Sequence, residues 1–359
     1  MRKTPLATAA VAFACGALTL VTACSSTPAP HASASPGRTT TAPSGGQASS
    51  PAVAATQLTV AQAKQAFDAF FPRYDALAKD HTASQVAALT IGAQAQVMAF
   101  NAAKDTGLTT PAQLTERFYV PQTASYPRWF VETGTTRSNG AAGGDLFVMV
   151  QSQPSGPWQA ADTTTWTGAA PAQLSAISLD AQGYATAVAP ADTSLATAPG
   201  ELPAQYAQVI AGTAGTSFSL YGAGDPTSQW AATQQQIVKG APADGWHVSF
   251  SYAVPPSSEY ALAATGGGAV VFFAFSQGSS WVSASSAPKF SGGATAFDGR
   301  MPLVLAMDAG LTNPTFRVGT RFTSTYVYEP LALDPAHGGK ITLMEHELDG
   351  GGFASAAMG

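Results

Sequence analysis

Cysteine is almost missing from this 359-residue chain, which has only Cys15 and Cys24. Both fall in the first 24 residues, so the body that follows can form no disulfide and no thiolate metal site. Its stability must come from core burial. Lysine is scarce, and the whole chain is mildly acidic, with 16 basic and 21 acidic residues and a net charge of −5. Arg2, Lys3 and Arg38 precede residue 58 and no acid does, which leaves the body 13 basic against 21 acidic residues, or −8. A binder of nucleic acid or of anionic lipid needs a concentrated basic face, and this balance argues against both. Beyond the start, no segment approaches 18 consecutive apolar residues, so no later membrane span is expected. Abundant Ala, Gly, Thr and Ser with little Lys is the bias of a high-GC genome.

What is present begins at the N-terminus. Arg2 and Lys3 form a basic start, an apolar run over 6–21 follows, and Val21-Thr22-Ala23-Cys24 closes it. This is the layout of a secretory signal with its cleavage site directly before a cysteine. The run is too short and too rich in Ala and Gly for a membrane-spanning helix. The Val-Thr-Ala-Cys end resembles the bacterial lipoprotein lipobox, in which the cysteine is acylated and becomes the new N-terminus. That resemblance implies lipidation at Cys24 by chains such as palmitate, and a protein anchored at the outer face of the cell membrane. Each buried acyl methylene contributes about 0.8 kcal/mol, so several chains on one cysteine hold firmly. Residues 25–57 are almost entirely Ser, Thr, Ala, Pro and Gly, with Arg38 the one charge. Such a segment buries too little apolar surface to offset chain entropy and is expected to be a disordered linker. At roughly 5–6 Å times the square root of its length it averages on the order of 30 Å end to end, a stalk for a folded body.

The remaining chain suffices for two domains, expected at 58–195 and 196–350. Thr59 and Gln62 form a capping box, and Val60, Ala63, Phe67, Phe70, Phe71 and Tyr74 recur at helical spacing. Pro72 predicts a kink or a break. A second helix is predicted over 84–104, with Val86, Leu89, Val97 and Phe100 on one face, and a short third one from Thr110-Pro111. The period then becomes two, predicting strands over 117–121, 128–136, 145–153, 159–167 and 174–188. Helices first and short-turned strands after give an antiparallel sheet with helices on one face, the α+β class. The second half repeats the plan. A helix is predicted over 203–211 and another is capped by Asp225, with Pro226 at its first position and Gly240 past its end. Strands follow over 247–254, 260–264, 269–275, 281–285, 301–308, 315–329 and 340–348, and 351–359 reads as a flexible tail. The expectation is two tandem helix-plus-antiparallel-sheet domains.

The halves also match residue by residue. Tyr119-Val120-Pro121 parallels Ala253-Val254-Pro255, and 144–151 parallels 268–275. A Ser-Gln pair follows each (Ser152-Gln153, Ser276-Gln277), then a Gly-bearing turn and a tryptophan (Trp158, Trp281). This predicts tandem duplication of one unit. A helical start followed by a curved antiparallel sheet resembles the nuclear-transport-factor-2-like and cystatin-like group. The whole chain looks like secreted actinobacterial lipoproteins whose body is an uncharacterised domain. No catalytic motif accompanies that resemblance, so it carries over no functional residue.

The search for chemistry yields little. His337, Glu345, His346 and Glu347, with Asp334 nearby, offer metal-ligating types, but alternation puts His346 on one face and the two glutamates on the other. No metal and no cofactor are expected. A Gly-x-Ser-x-Gly elbow is missing, His81 sits in a link between helices, and His247 begins a strand. Asp298, Asp308, Glu329 and Glu345 are the candidates for a carboxylate pair in the second half. A curved sheet closed by a helix makes a cone that can hold a ligand. Arg317 and Arg321 share one face of a predicted strand, and facing inward they would make an anion-binding site; facing outward they are solvated. Phe272, Phe273, Phe275 and Trp281 read as core. These features favour a non-enzymatic extracytoplasmic module that binds a cell-envelope component, a protein or a small ligand. Its partners would be the membrane, through the lipid, and an envelope protein or wall polymer, with no nucleic acid. A hydrolase or lyase with a pocket in one curved sheet is the alternative.

Overall fold

The computed structural model describes residues 57–77, 82–104, 113–123, 125–138, 141–212, 219–256, 259–286, 288, 317–344 and 351–358. Cys24 and the expected linker lie outside them. Helix α1 spans Val60–Leu77 and starts as the capping box predicts. The Gln62 amide donates to Thr59 Oγ1 (3.1 Å) and the Thr59 amide to Gln62 Oε1 (2.9 Å). Ala63, Phe67, Phe70, Tyr74 and Leu77 form its buried face. The helix does not break at Pro72. That residue is on the exposed side, where water can meet the carbonyl left without its partner, and buried aromatics hold the helix before and after it. The predicted second helix is two helices, α2 (Ala83–Leu89) and α3 (Gly92–Lys104). Between them the Ile91 amide donates to Ala160 O (2.9 Å), and Gly92 turns the chain at φ 63°, a region that favours glycine. The third predicted helix does not reach Gln113, which already opens a strand; 105–112 lie outside the described residues.

Strands β1 (Gln113–Tyr119), β2 (Arg128–Ser138), β3 (Ala141–Gln151) and β4 (Gln159–Thr167) form an antiparallel sheet in the order β1-β2-β3-β4. The central strand β3 is buried on both faces. Phe147 and Met149 pack against the helices, while Leu146, Val148 and Val150 face the opposite way. The β3–β4 register passes from Val148↔Asp162 to Met149↔Ala160, leaving Ala161 as an extra residue in β4. This bulge turns Ala161 and Asp162 toward the same face.

The predicted strand over 174–188 is not one. Helix α4 (Ala172–Ala176) opens it, and a strap follows that touches the sheets at single bridges: Ile177 to Ala264, Ala187 to Leu262 and Leu195 to Ala336. Helix α5 (Leu202–Ile210) matches its prediction. The next differs at both ends. Residues Asp225–Gln229 make a wide turn, held by the Gln229 amide on Gly224 O (3.2 Å) and Thr227 Oγ1 on Gly222 O (2.7 Å), and α6 (Trp230–Gly240) begins only after it.

The second half then supplies β5 (Trp246–Ala253), β6 (Glu259–Ala263), β7 (Ala269–Phe273), β8 (Phe275–Ser283), β9 (Arg321–Tyr328), β10 (Leu331–Asp334), β11 (Thr342–Leu343) and β12 (Gly351–Met358). These pair as β11-β10-β7-β6 and β12-β9-β8-β5. The chain crosses from one sheet to the other at Ala274 and at Glu329-Pro330, so β7–β8 and β9–β10 read as two long strands bent in the middle. The expected tail is strand β12, paired with β9 from Gly351↔Tyr328 to Met358↔Phe322. Its run of Gly, Ala and Ser has little strand propensity; the ladder, not the residues, makes it a strand. The predicted strand over 301–308 lies outside the described residues.

The molecule is α+β. Helices α1–α3 cover one face of the first sheet, whose other face packs Trp129, Val131, Leu146, Val148 and Trp166 against Leu262, Val270, Phe272, Leu331 and Met344. The far face of that second sheet, with Val271, Phe273 and Ala332, packs on Tyr206, Val209 and Ile210 of α5. Residues from Val53 to Gly359 form one compact unit, in which the two halves are layers sharing a core.

Both halves run helices first and a four-stranded meander after. The residue match between them is not kept in space. Tyr119-Val120-Pro121 leads into the antiparallel β1–β2 pairing, whereas Ala253-Val254-Pro255 joins β5 to β6 on one edge of the bent sheet. Ser152-Gln153 lies past the end of β3, but Ser276-Gln277 is inside β8. Trp158 precedes β4, and Trp281 is again in β8. The match reflects a shared need, since both segments are a glycine followed by apolar residues buried on two faces.

Candidate functional site

Arg317 and Arg321 do not face inward. Arg317 lies in a turn whose backbone amide donates to Thr320 Oγ1 (3.0 Å), and Arg321 opens β9; both are exposed. The strand begins only at Arg321, so Val318 is 69% exposed instead of facing a core. An inward anion site is therefore not what these two residues make. His247 and His337 are exposed as well. His81, Asp298, Asp308, Glu345, His346 and Glu347 lie outside the described residues. Among the described residues, no group of three or more His, Cys, Asp or Glu is placed to hold a metal ion. Phe272, Phe273, Phe275 and Trp281 are core, as predicted.

A groove of about 370 Å³ opens where the strap passes the two sheets. Pro127 and Trp129 come from the start of β2, Val188, Pro190 and Pro199 from the strap, and Glu259 and Tyr260 from β6. The Trp129 and Tyr260 rings lie 5.3 Å apart at 53°. Proline and aromatic side chains make its surface largely apolar, and Glu259 is the carboxylate in the lining. Burial pushes the Tyr260 phenol pKa up, and the charges of Asp162 and Glu259 push it further.

Behind that wall lies an acid pair. Asp162, turned inward by the β4 bulge, is 4% exposed; Glu329, at the bend between β9 and β10, is fully buried. Thr163 and Thr164 bind Glu329 to the outer edge of β4. The Thr163 amide donates to Glu329 Oε2 (3.2 Å) and Thr164 Oγ1 to the Glu329 carbonyl (2.7 Å). Burial drives both carboxyl pKa values well above the usual carboxylate range, and the Asp162 charge raises that of Glu329 further. Tyr74 faces the same region from α1, with Gln94 Nε2 donating to its hydroxyl (2.7 Å). Its phenol is raised chiefly by burial, with Glu329 and Asp145 adding to the effect. Asp145 on β3 is pushed up to about 6 by burial. Glu329 was a candidate for an acid pair with Asp298, Asp308 or Glu345, which lie outside the described residues; the described acid whose charge acts on it, Asp162, comes from the first half. A lone acid in Ala160-Ala161-Asp162-Thr163-Thr164 was the available signal; the bulge that aims it inward has no readable signature.

Fold and site define an α+β body of stacked antiparallel sheets, with an apolar groove at its edge and carboxyl groups enclosed in its core. The chain belongs to the family described as Domain of unknown function (DUF8094), whose model matches residues 54–349. It is similar to an uncharacterized lipoprotein of Streptomyces coelicolor, 28% identical over 228 residues, which is 61% of this chain and 66% of that protein. It is also similar to an uncharacterized lipoprotein of Streptomyces avermitilis, 33% identical over 102 residues, which is 28% of this chain and 29% of that protein. The match thus spans less than two thirds of either relative. No solved structure matches the chain.

Proposed function

We propose that this protein is a lipoprotein, held at the outer face of the cell membrane by an acylated Cys24, with 25–57 as its stalk. The observation that carries this reading is that both relatives are named lipoproteins, joined to the Val-Thr-Ala-Cys end of the signal. Among the described residues no helix is long and apolar enough to cross a membrane, so on this reading the acyl chains supply the hold. The body binds an envelope component, a protein or a small ligand, and the groove at Trp129 and Tyr260 is where it does so. Mostly apolar concavities with a few polar groups are the usual form of such sites. The order of elements in each half supports kinship with nuclear-transport-factor-2-like and cystatin-like units. A second reading, a hydrolase or lyase, draws support from the meeting of Asp162 and Glu329; catalysis there would require substrate to reach a pair that the fold encloses.

Fractionation of cells tests the anchor. The full chain is expected with the membranes and the Cys24→Ala variant in the medium; retention of the variant on membranes overturns the anchor. Ala189 is exposed and lines the groove, so Ala189→Trp fills it without touching the core. Envelope extract passed over the immobilised protein should yield partners that this variant loses. Equal capture by both overturns the groove as the binding place.

A further inference from the structure

We infer that the groove at Trp129 and Tyr260 takes an aliphatic ammonium, the lysine side chain of a partner peptide, with its stem on the aromatic pair and its charge at Glu259. This rests on the groove being the binding place and adds the chemistry of what enters it. The groove follows the edge of β6 and opens to both faces of that strand. Trp129 and Tyr260 belong to the core on one face, while Val188 and Ala261 pack in the core on the other. Side chains alternate along a strand, so Glu259 leaves β6 on the face of Ala261 and not on that of Tyr260. A ligand that uses both must be apolar along one end and cationic at the other. The apolar end meets a fixed wall: Trp129 is buried, and it holds the Tyr260 ring at 5.3 Å and 53°. Pro127, Ala189 and Pro190 are exposed at the rim, so the wall can be reached from solvent. Lysine carries a compact charge on a flexible four-carbon stem, and such stems lie along apolar surface with the charge beyond it.

The surroundings select a cation over an anion. No basic side chain lines the groove. Pro127, Pro190 and Pro199 have no amide hydrogen to offer, and the Val188 amide is already given to Ala261 O (2.9 Å). The strap over 177–201 carries Asp180, Asp192 and Glu201 and no Lys, Arg or His. Arg128 is the base next to the lining. It leaves β2 on the face opposite to Trp129 and lies over the Tyr126 ring, 4.6 Å from its centroid. The acids of the strap and the net charge of −8 on the body both draw a cation toward this edge.

Titration of the full chain, followed by NMR at the Trp129 indole, tests the inference with two probes: Nα-acetyl-lysine methylamide and its norleucine counterpart, which has the stem without the charge. The lysine probe should shift the indole resonance and bind at least about tenfold more tightly than norleucine, the range of one charge-assisted bond. Glu259→Gln should bring the two probes to equal affinity, and Ala189→Trp should remove both. Equal affinity in the wild type, a preference kept in Glu259→Gln, or an unmoved Trp129 indole overturns the inference. If Glu259→Gln does not fold, salt decides on the wild type. The lysine probe should lose affinity as ionic strength rises while norleucine does not, and equal salt response of the two overturns the inference. Capture from envelope extract separates this inference from the reading it rests on. Capture that Ala189→Trp loses but the lysine probe does not compete away leaves the groove standing and overturns the ammonium. Equal capture by wild type and Ala189→Trp removes the groove as the binding place, and the inference with it.

Discussion

The first sheet is made of four strands that each keep to it, whereas in the second half β7–β8 and β9–β10 each bend from one sheet into the other. The straight sheet can only be covered, by helices on one face and by its neighbour on the other. The bent sheet does more. Its crease at Ala274 and Val327 receives Ala93 and Val97 of α3, a helix from the first half. The same crease carries Glu329 around to the edge of β4. A bend therefore joins two layers through their edges as well as through their faces, and it places the acid pair where the halves meet.

Glycines at the start of the two buried central strands sharpen this contrast. A Cβ at Gly144 would lie 2.0 Å from Trp166 Cζ2 and 2.4 Å from the Gly134 carbonyl, between a packed ring and a paired strand. Gly144→Ala should cost about 3 kcal/mol in chemical denaturation, the upper range for overpacking. A Cβ at Gly268 would meet the Asp334 carbonyl at 2.6 Å and Pro335 Cα at 3.1 Å, less close than the contacts at Gly144. Gly268→Ala should cost about 1–2 kcal/mol. Equal losses would show that both sheets are equally rigid at this point and would break the comparison.

A further effect concerns Asp334, a buried acid within the second half. Its carboxyl is pushed up to about 7 by burial, with the nearby Thr197 and Ala196 amides pulling the other way. That pull is weak: the Ala196 amide is already donated to Pro335 O (2.8 Å), and neither Asp334 oxygen has a partner in bonding geometry. An unfolded Asp titrates near about 3.9, so between these values the folded chain holds a proton that the unfolded chain lacks. Stability from this group is present below the lower value and lost as pH rises toward 7. Asp334→Asn should raise the melting temperature at neutral pH, leave it unchanged at strongly acidic pH, and flatten the profile between. An unaltered profile would mean that Asp334 is solvated, unlike the pair at the junction.

Local signals were legible in the sequence. The Thr59–Gln62 box, the aromatic stripe of α1 and the strand over Gln159–Thr167 all follow from patterns within a few residues. What could not be read depends on partners far along the chain. Pro72 stays in a helix because of what α1 packs against. Gly351–Met358 becomes a strand because β9 offers an edge. Arg317 lost its place in a strand to the turn that Gly319 allows at φ 88°. The junction of Asp162 with Glu329 needed a bulge and a bend to coincide across 167 positions of sequence, and neither has a composition of its own.

The strap between α4 and α5 has one more consequence. It satisfies the outer row of β6, through the Ser178 amide on Ala263 O (2.8 Å), the Ala263 amide on Thr186 O (2.8 Å) and the Val188 amide on Ala261 O (2.9 Å). Leu220 and Gly222 do the same around Ile341, beside β11. An unclaimed row of this kind would template sheet growth from one molecule to the next, the first step toward fibrils. Claiming those groups internally closes these two edges to pairing with a second copy.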